Sequence, residues 1–231
     1  TTHEILDSYP YFQLLFSIIS VSLVINYDHS TQLMLSKFEY WYLEKVCLHP
    51  WSLIWLDLLD NRNLKLLIAY GSWWKFFHLE EFSKALQKQN VKVKLVKDTD
   101  YSKGFPSKKI KDWFHGDKKF KELIRDFKPD AIFVDRQAHF ALYSIKSGIP
   151  TFILLRGHYW QEHFWGVKTL GGNLVTRLVI WYRHRIAEEC FANATAILPI
   201  VRYLEDVVKE HYPKQNTGVF FEGINSSKWF H

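Results

Sequence analysis

PDAIFVDRQAHFALYSIKSGIPTFILLRGHYWQEH, residues 129–163, is the stretch whose reading decides the fold. It holds two short apolar runs, Ala131–Val134 and Thr151–Leu155, each the length of a strand rather than of a helix. An amphipathic helix or a polar loop follows each run. The same order continues through ATAILPIVRYLEDVVKEHYPKQNTGVFFEGINSSKWF, residues 194–230. Strands alternating with helices in this way imply a parallel sheet with crossover helices. In such sheets ligands bind outside the carboxyl ends of the strands. The residues that follow each run are therefore the first candidates for function.

Working outward, Leu64–Tyr70 (LKLLIAY) reads as a buried central strand with a tight exit at Gly71-Ser72. Phe77–Gln89 reads as a helix with Leu79, Phe82 and Leu86 inward, and 91–96 (VKVKLV) alternates as a strand with one wet face. Further strands are expected at 195–198 and 218–221, and helices at 118–127, 176–190 and 201–211, the second holding Val179, Trp181 and Ile186 with basic Arg177, Arg183 and Arg185. The expected fold is α/β: a Rossmann-like, mainly parallel sheet flanked by helices over residues 61–231. No G-x-G-x-x-G element is present, so no motif supports dinucleotide binding. Residues 1–60 read as a mainly helical extension packed on that domain, with helices at 31–48 and 51–59. Within it Phe12–Ile25 is the most apolar stretch, short for a spanning helix, and reads as a buried element or a membrane anchor.

The 231 residues are 48% apolar, enough for a sizeable core and too apolar for intrinsic disorder. With 10 Trp, 12 Tyr and 18 Phe, some aromatic surface can face an interface or a bilayer. A formal charge of +6 points to an anionic partner. Two cysteines, Cys47 and Cys190, make no disulfide framework and suggest a reduced compartment. There is neither an initiator Met nor a basic n-region, so no signal peptide is evident, and a cytoplasmic location, peripheral at the membrane, is expected. The sequons at Asn193 and Asn225 are then chance matches.

Arg156-Gly157-His158 follows the strand 151–155 directly. Arg can grip phosphate through two hydrogen bonds, glycine lets a backbone come close to a substrate, and His can carry a proton or bond a hydroxyl. Alternatively, Arg156 pairs with Asp135 across neighbouring strand ends. Asp135, with Arg136 beside it, can be a base or hydroxyl binder, or else an ion-pair partner or helix N-cap. Gly71-Ser72 precedes a helix and reads as an anion site or a plain tight turn. His158, Glu162 and His163 do not have H-E-x-x-H spacing, and no metal is expected. The segment 101–121 interleaves Lys103, Lys108, Lys109 and Lys111 with Phe105, Ile110, Trp113 and Phe114. Those are the ingredients of a contact with an anionic membrane, of nucleic-acid binding, or of a solvated loop; the membrane is the expected partner rather than nucleic acid.

Pro129-Asp130-Ala131-Ile132, Gly148-Ile149-Pro150, Ala194-Thr195-Ala196-Ile197-Leu198 and Glu222-Gly223-Ile224-Asn225 with Trp229 together resemble the first domain of family 4 glycosyltransferases. These have the two-domain GT-B fold, and the likeness covers roughly residues 64–231. Arg156 and Asp135 stand where the family has histidines, and the glycine-rich first loop is reduced to Gly71-Ser72. The resemblance implies one half of a GT-B fold, with no donor-binding second domain in the sequence. It makes the chain the acceptor-binding half of an enzyme. The reaction would move a sugar from a nucleotide-diphosphate sugar to a saccharide or lipid-linked acceptor, with no cofactor. It puts Arg156, His158 and Asp135 in catalytic roles and Gly71, Ser72, Gly157, Arg136 and Trp160 at the acceptor. Tyr159, Trp160, Phe164 and Trp165 read as a hydrophobic wall or mobile flap beside that site. Two other readings are a non-catalytic membrane-docking subunit of a split glycosyltransferase and a GT-B-fold sugar-nucleotide epimerase.

Overall fold

A computed structural model describes residues 64–221 apart from 72, 108 and 110, with backbone alone at 73–75 and 111. The expected extension over residues 1–60 lies outside them. Five strands run in chain order as β1 Lys65–Tyr70, β2 Lys92–Lys97, β3 Ala131–Val134, β4 Thr151–Leu155 and β5 Ala196–Pro199. All pairings are parallel and the spatial order is β2-β1-β3-β4-β5. The helices are α1 Trp73–Lys88, α2 Asp98–Tyr101, α3 Lys111–His115, α4 Lys118–Phe127, α5 His139–Lys146, α6 Tyr159–Leu170, α7 Leu174–Asn193 and α8 Arg202–His211. The α/β, Rossmann-like reading therefore holds.

The parallel sheet explains the strand composition. Both faces are covered, so successive residues alternate between two apolar cores. Leu67, Ile132, Ile153 and Ile197 point to a core completed by Phe120, Phe140, Phe191 and Val208 from α4, α5, α7 and α8. Leu66, Phe133, Phe152 and Leu198 point to a second core with Leu79, Phe82 and Leu86 of α1. Edge strand β2 carries Lys92, Lys94 and Lys97, which blunt an open sheet edge.

The expected strand at 218–221 is a correction. Thr217 makes an isolated parallel bridge to Ile197, and the chain then follows β5 through one further strong bond, Phe220 N–H to the Pro199 carbonyl at 2.7 Å. Pro199 has no N–H to return, so the ladder breaks where a regular strand would need it. The tail is held instead by Phe220, which is buried with its ring edge-on to Phe82 at 5.1 Å and tilted against Phe133 at 5.4 Å. Phe220→Ala is therefore expected to cost about 3 kcal/mol in denaturant unfolding. Phe221→Ala, at a 41% exposed position, should change stability by less than about 0.5 kcal/mol.

Candidate functional site at the carboxyl edge of the sheet

The chain leaves β1 toward β2 on one side and returns to place β3 on the other. The order thus reverses between β1 and β3, the place where open α/β sheets form a ligand crevice. Four predicted residues meet there. Asp135, directly after β3, has a fully buried side chain and lies 2.8 Å from Arg156 Nη1, directly after β4. Its Oδ2 accepts the Gly71 N–H from the end of β1 at 3.3 Å. Asp135 is thus an ion-pair partner, and the alternative reading as a helix cap falls. The N-cap of α5 is Ala138, with no side-chain cap.

Arg136 turns to the other side of Gly71. Its Nε and Nη2 donate to the two oxygens of Asp98, at 2.6 and 3.0 Å. Asp98 follows β2 and is buried, whereas the Arg136 side chain is 43% exposed. Gly71 has to be glycine for this packing, since a Cβ there would come within 2.6 Å of the Arg136 side chain. One carboxylate thus fixes a buried guanidinium, and a second fixes an exposed one. Asp98 was missed in the sequence. Its signal was its place directly after a strand, the same criterion that picked out Asp135.

His158 caps α6. Its Nδ1 accepts the Gln161 N–H at 3.2 Å, which leaves the proton of the neutral ring on Nε2. Its ring lies 6.0 Å from that of Tyr203, at the start of α8. Gly157 sits against the Glu162 carboxylate. Trp160 is engaged elsewhere: its ring stacks on His211 at 4.0 Å and its N–H donates to Glu188 at 3.3 Å, within the helical core. Phe164 and Trp165 stand exposed on α6. Ser72 and Lys108 lie outside the described residues, as does the side chain of Lys111.

The basic-aromatic segment is more ordered than a loop. Lys103 pairs with Asp112 at 3.8 Å, and Trp113 donates to the Ser107 carbonyl at 2.9 Å. Phe105 lies edge-on between Trp113 and Tyr182 of α7. Lys109 donates its backbone N–H to the Ser107 hydroxyl. His139 also escaped the sequence reading. Its buried Nε2 has no hydrogen-bond partner among the described residues, and burial, then Arg183 and Arg136, push its pKa down.

His163 does not join His158. It stacks on His184 at 3.9 Å, and His184 Nδ1 lies 3.1 Å from the Tyr159 hydroxyl. Among the described residues no three metal-binding side chains converge. The cavity of about 280 Å3 lined by Ile145, Gly148, Pro150, Thr151, Asn193 and Thr195 opens at the opposite, amino edge of the sheet and has no charged lining. The charged cluster lies at the carboxyl edge.

Comparison with protein-family models and with curated proteins finds no match to the chain.

The burial and stacking of His163 are expected to make the fold acid-sensitive. Burial first, then the neighbouring His184, hold the His163 pKa below its ordinary 6.5, while Glu188 acts the other way. Below about pH 6.5 the unfolded chain then binds more protons than the folded one, so stability rises with pH through that window. His139 contributes with the same sign. The thermal midpoint is expected to fall between pH 7.5 and 5.5, and His163→Gln to remove part of that slope. A slope unchanged in His163→Gln would exclude the stack as a cause.

Proposed function

We propose that the chain is the acceptor-binding half of a glycosyltransferase that takes sugar from a nucleotide-diphosphate donor and gives it to a saccharide or lipid-linked acceptor. The observation that carries this reading is the carboxyl-edge cluster at the β1/β3 switch point. Gly71, Asp135, Arg136 and Arg156 meet there across three strands. The motifs that resemble family 4 glycosyltransferases put their functional positions on these same strand ends, which supports the assignment.

In this reading Arg156 is not the ligand's cation, because Asp135 already holds it. Arg136 is the accessible guanidinium. Two of its five N–H groups go to Asp98, and the fork so fixed can orient hydroxyl or phosphate oxygens of an acceptor at little entropic cost. His158, just beyond the end of β4, adds a donor at the same edge through Nε2–H, and with α6 capped by its Nδ1 the ring is preset. Orienting the acceptor is the share of catalysis asked of this half. Donor phosphates would be held mainly by residues outside 64–221.

Two titration series test this. Calorimetry of residues 1–231 with nucleotide-diphosphate sugars should show at best weak binding, since the donor's main contacts are assigned elsewhere. Binding of short-chain lipid-linked saccharides should weaken at least tenfold in Arg136→Lys, which keeps the charge and loses the fork. His158→Asn, which keeps the cap and loses the imidazole, should weaken it by a similar factor. Tight donor binding or turnover by 1–231 would refute the half-enzyme reading, and acceptor affinities unchanged in both variants would refute the site.

A further inference from the structure

The helical hairpin of α6 and α7 is exposed where a globular surface is seldom apolar. No residue of α6 is buried, and α7 buries only Ile186, Ala187, Cys190 and Phe191, all in its second half. The 20 residues of α7 span about 30 Å, while the four of β5 span about 13 Å. The chain enters α6 from the carboxyl end of β4 and returns down α7 to the amino end of β5. The first half of α7 therefore overhangs the carboxyl edge of the sheet, on the side of the Asp135 and Arg136 cluster.

The overhang is stiffened from within. Gly171 closes α6 with its N–H on the Val167 carbonyl, and a Cβ there would collide with that carbonyl. Asn173 caps α7 through the Thr176 N–H at 2.8 Å, and Arg177 Nε donates to the Gly171 carbonyl at 2.7 Å. At the base, Tyr159 and His163 pack on His184. What this rigid hairpin presents outward is a stripe at i, i+4, i+7 and i+11 of α7: Leu174, Leu178, Trp181 and Arg185, with Leu174 81% exposed. On α6, Leu170 (66% exposed), Phe164 and Trp165 are exposed as well. Scattered apolar residues need no explanation, but a contiguous patch on a protruding element marks a binding surface.

The charges identify what binds. Residues 159–185 contain Lys168, Arg177, Arg183 and Arg185 against one carboxylate, Glu162. Apolar side chains interleaved with cations fit a bilayer interface carrying anionic headgroups. None of the described helices is long and apolar enough to cross a membrane, so the contact is with its surface. We infer that the α6–α7 hairpin docks on an anionic lipid surface, with Leu170, Leu174, Leu178 and Trp181 entering the headgroup boundary. Lys168, Arg177 and Arg185 sit on its phosphates. The inference rests on these side chains and does not require the glycosyltransferase reading.

The test is co-sedimentation of residues 1–231 with phosphatidylcholine vesicles, with and without about one-third phosphatidylglycerol. Two variants are compared: Leu174→Glu/Leu178→Glu/Trp181→Glu and Lys168→Glu/Arg185→Glu. All five positions are exposed, and matching far-ultraviolet dichroism and thermal midpoints establish that the variants fold. The wild type should partition at least tenfold more onto anionic vesicles and lose that preference as salt is raised. The apolar triple variant should lose at least tenfold on anionic vesicles, and the charge variant should bind both vesicle types alike. No vesicle binding by the wild type, or binding equal in the triple variant, overturns the inference. So does self-association without lipid that the triple variant abolishes, which would make the stripe a protein interface.

Discussion

A carboxylate with no exposed surface and a guanidinium 2.8 Å away tie the ends of β3 and β4 together. Burying either charge alone would be expensive, so the two groups hold each other in place and, through the Gly71 N–H, hold the end of β1 as well. Three neighbouring strands thus end at one fixed point, and the rest of the site is arranged around it. Arg156 is committed to Asp135. Arg136, the next residue along, leans the other way onto Asp98 and stays partly in water. The division of labour between the two arginines is a matter of burial, not of residue type.

The sheet forces this arrangement. Both of its faces are packed with apolar side chains, so polar chemistry is confined to the strand ends. At the amino edge the cavity is lined by backbone turns and small neutral residues. At the carboxyl edge stand two aspartates, two arginines and a histidine. The α6–α7 hairpin rises from that same edge, which would bring a docked lipid surface and the cluster to one side of the molecule.

Much of this was legible in the residues. Ala131–Val134 and Thr151–Leu155 are strands at the expected bounds, because a buried parallel strand is an unbroken apolar run with polar ends. The same rule located Asp135 and Arg156, and it would have located Asp98 had the lysine-rich β2 been read to its end. The pairing of Arg156 with Asp135 was one of the two readings of those strand ends, and it holds; the pairing of Arg136 with Asp98 was not legible, since it depends on where β2 lies in the sheet. Trp181, one of the apolar residues that mark α7 as a helix, is 55% exposed. Helical periodicity shows that apolar residues share a face, but not whether protein covers it. The tail at 217–221 fails as a strand because one proline on its neighbour, Pro199, lacks the donor a ladder needs.

The dependence of the site on the buried pair is tested most directly by a double-mutant cycle in denaturant unfolding, with Asp135→Asn, Arg156→Met and both together. Each single change strands a buried partner and should cost about 3 kcal/mol or more. The double variant should cost far less than the sum, a coupling of about 2 kcal/mol. Costs that add to within about 0.5 kcal/mol, or an Arg156→Met variant as stable as the wild type, would contradict a site built on that pair.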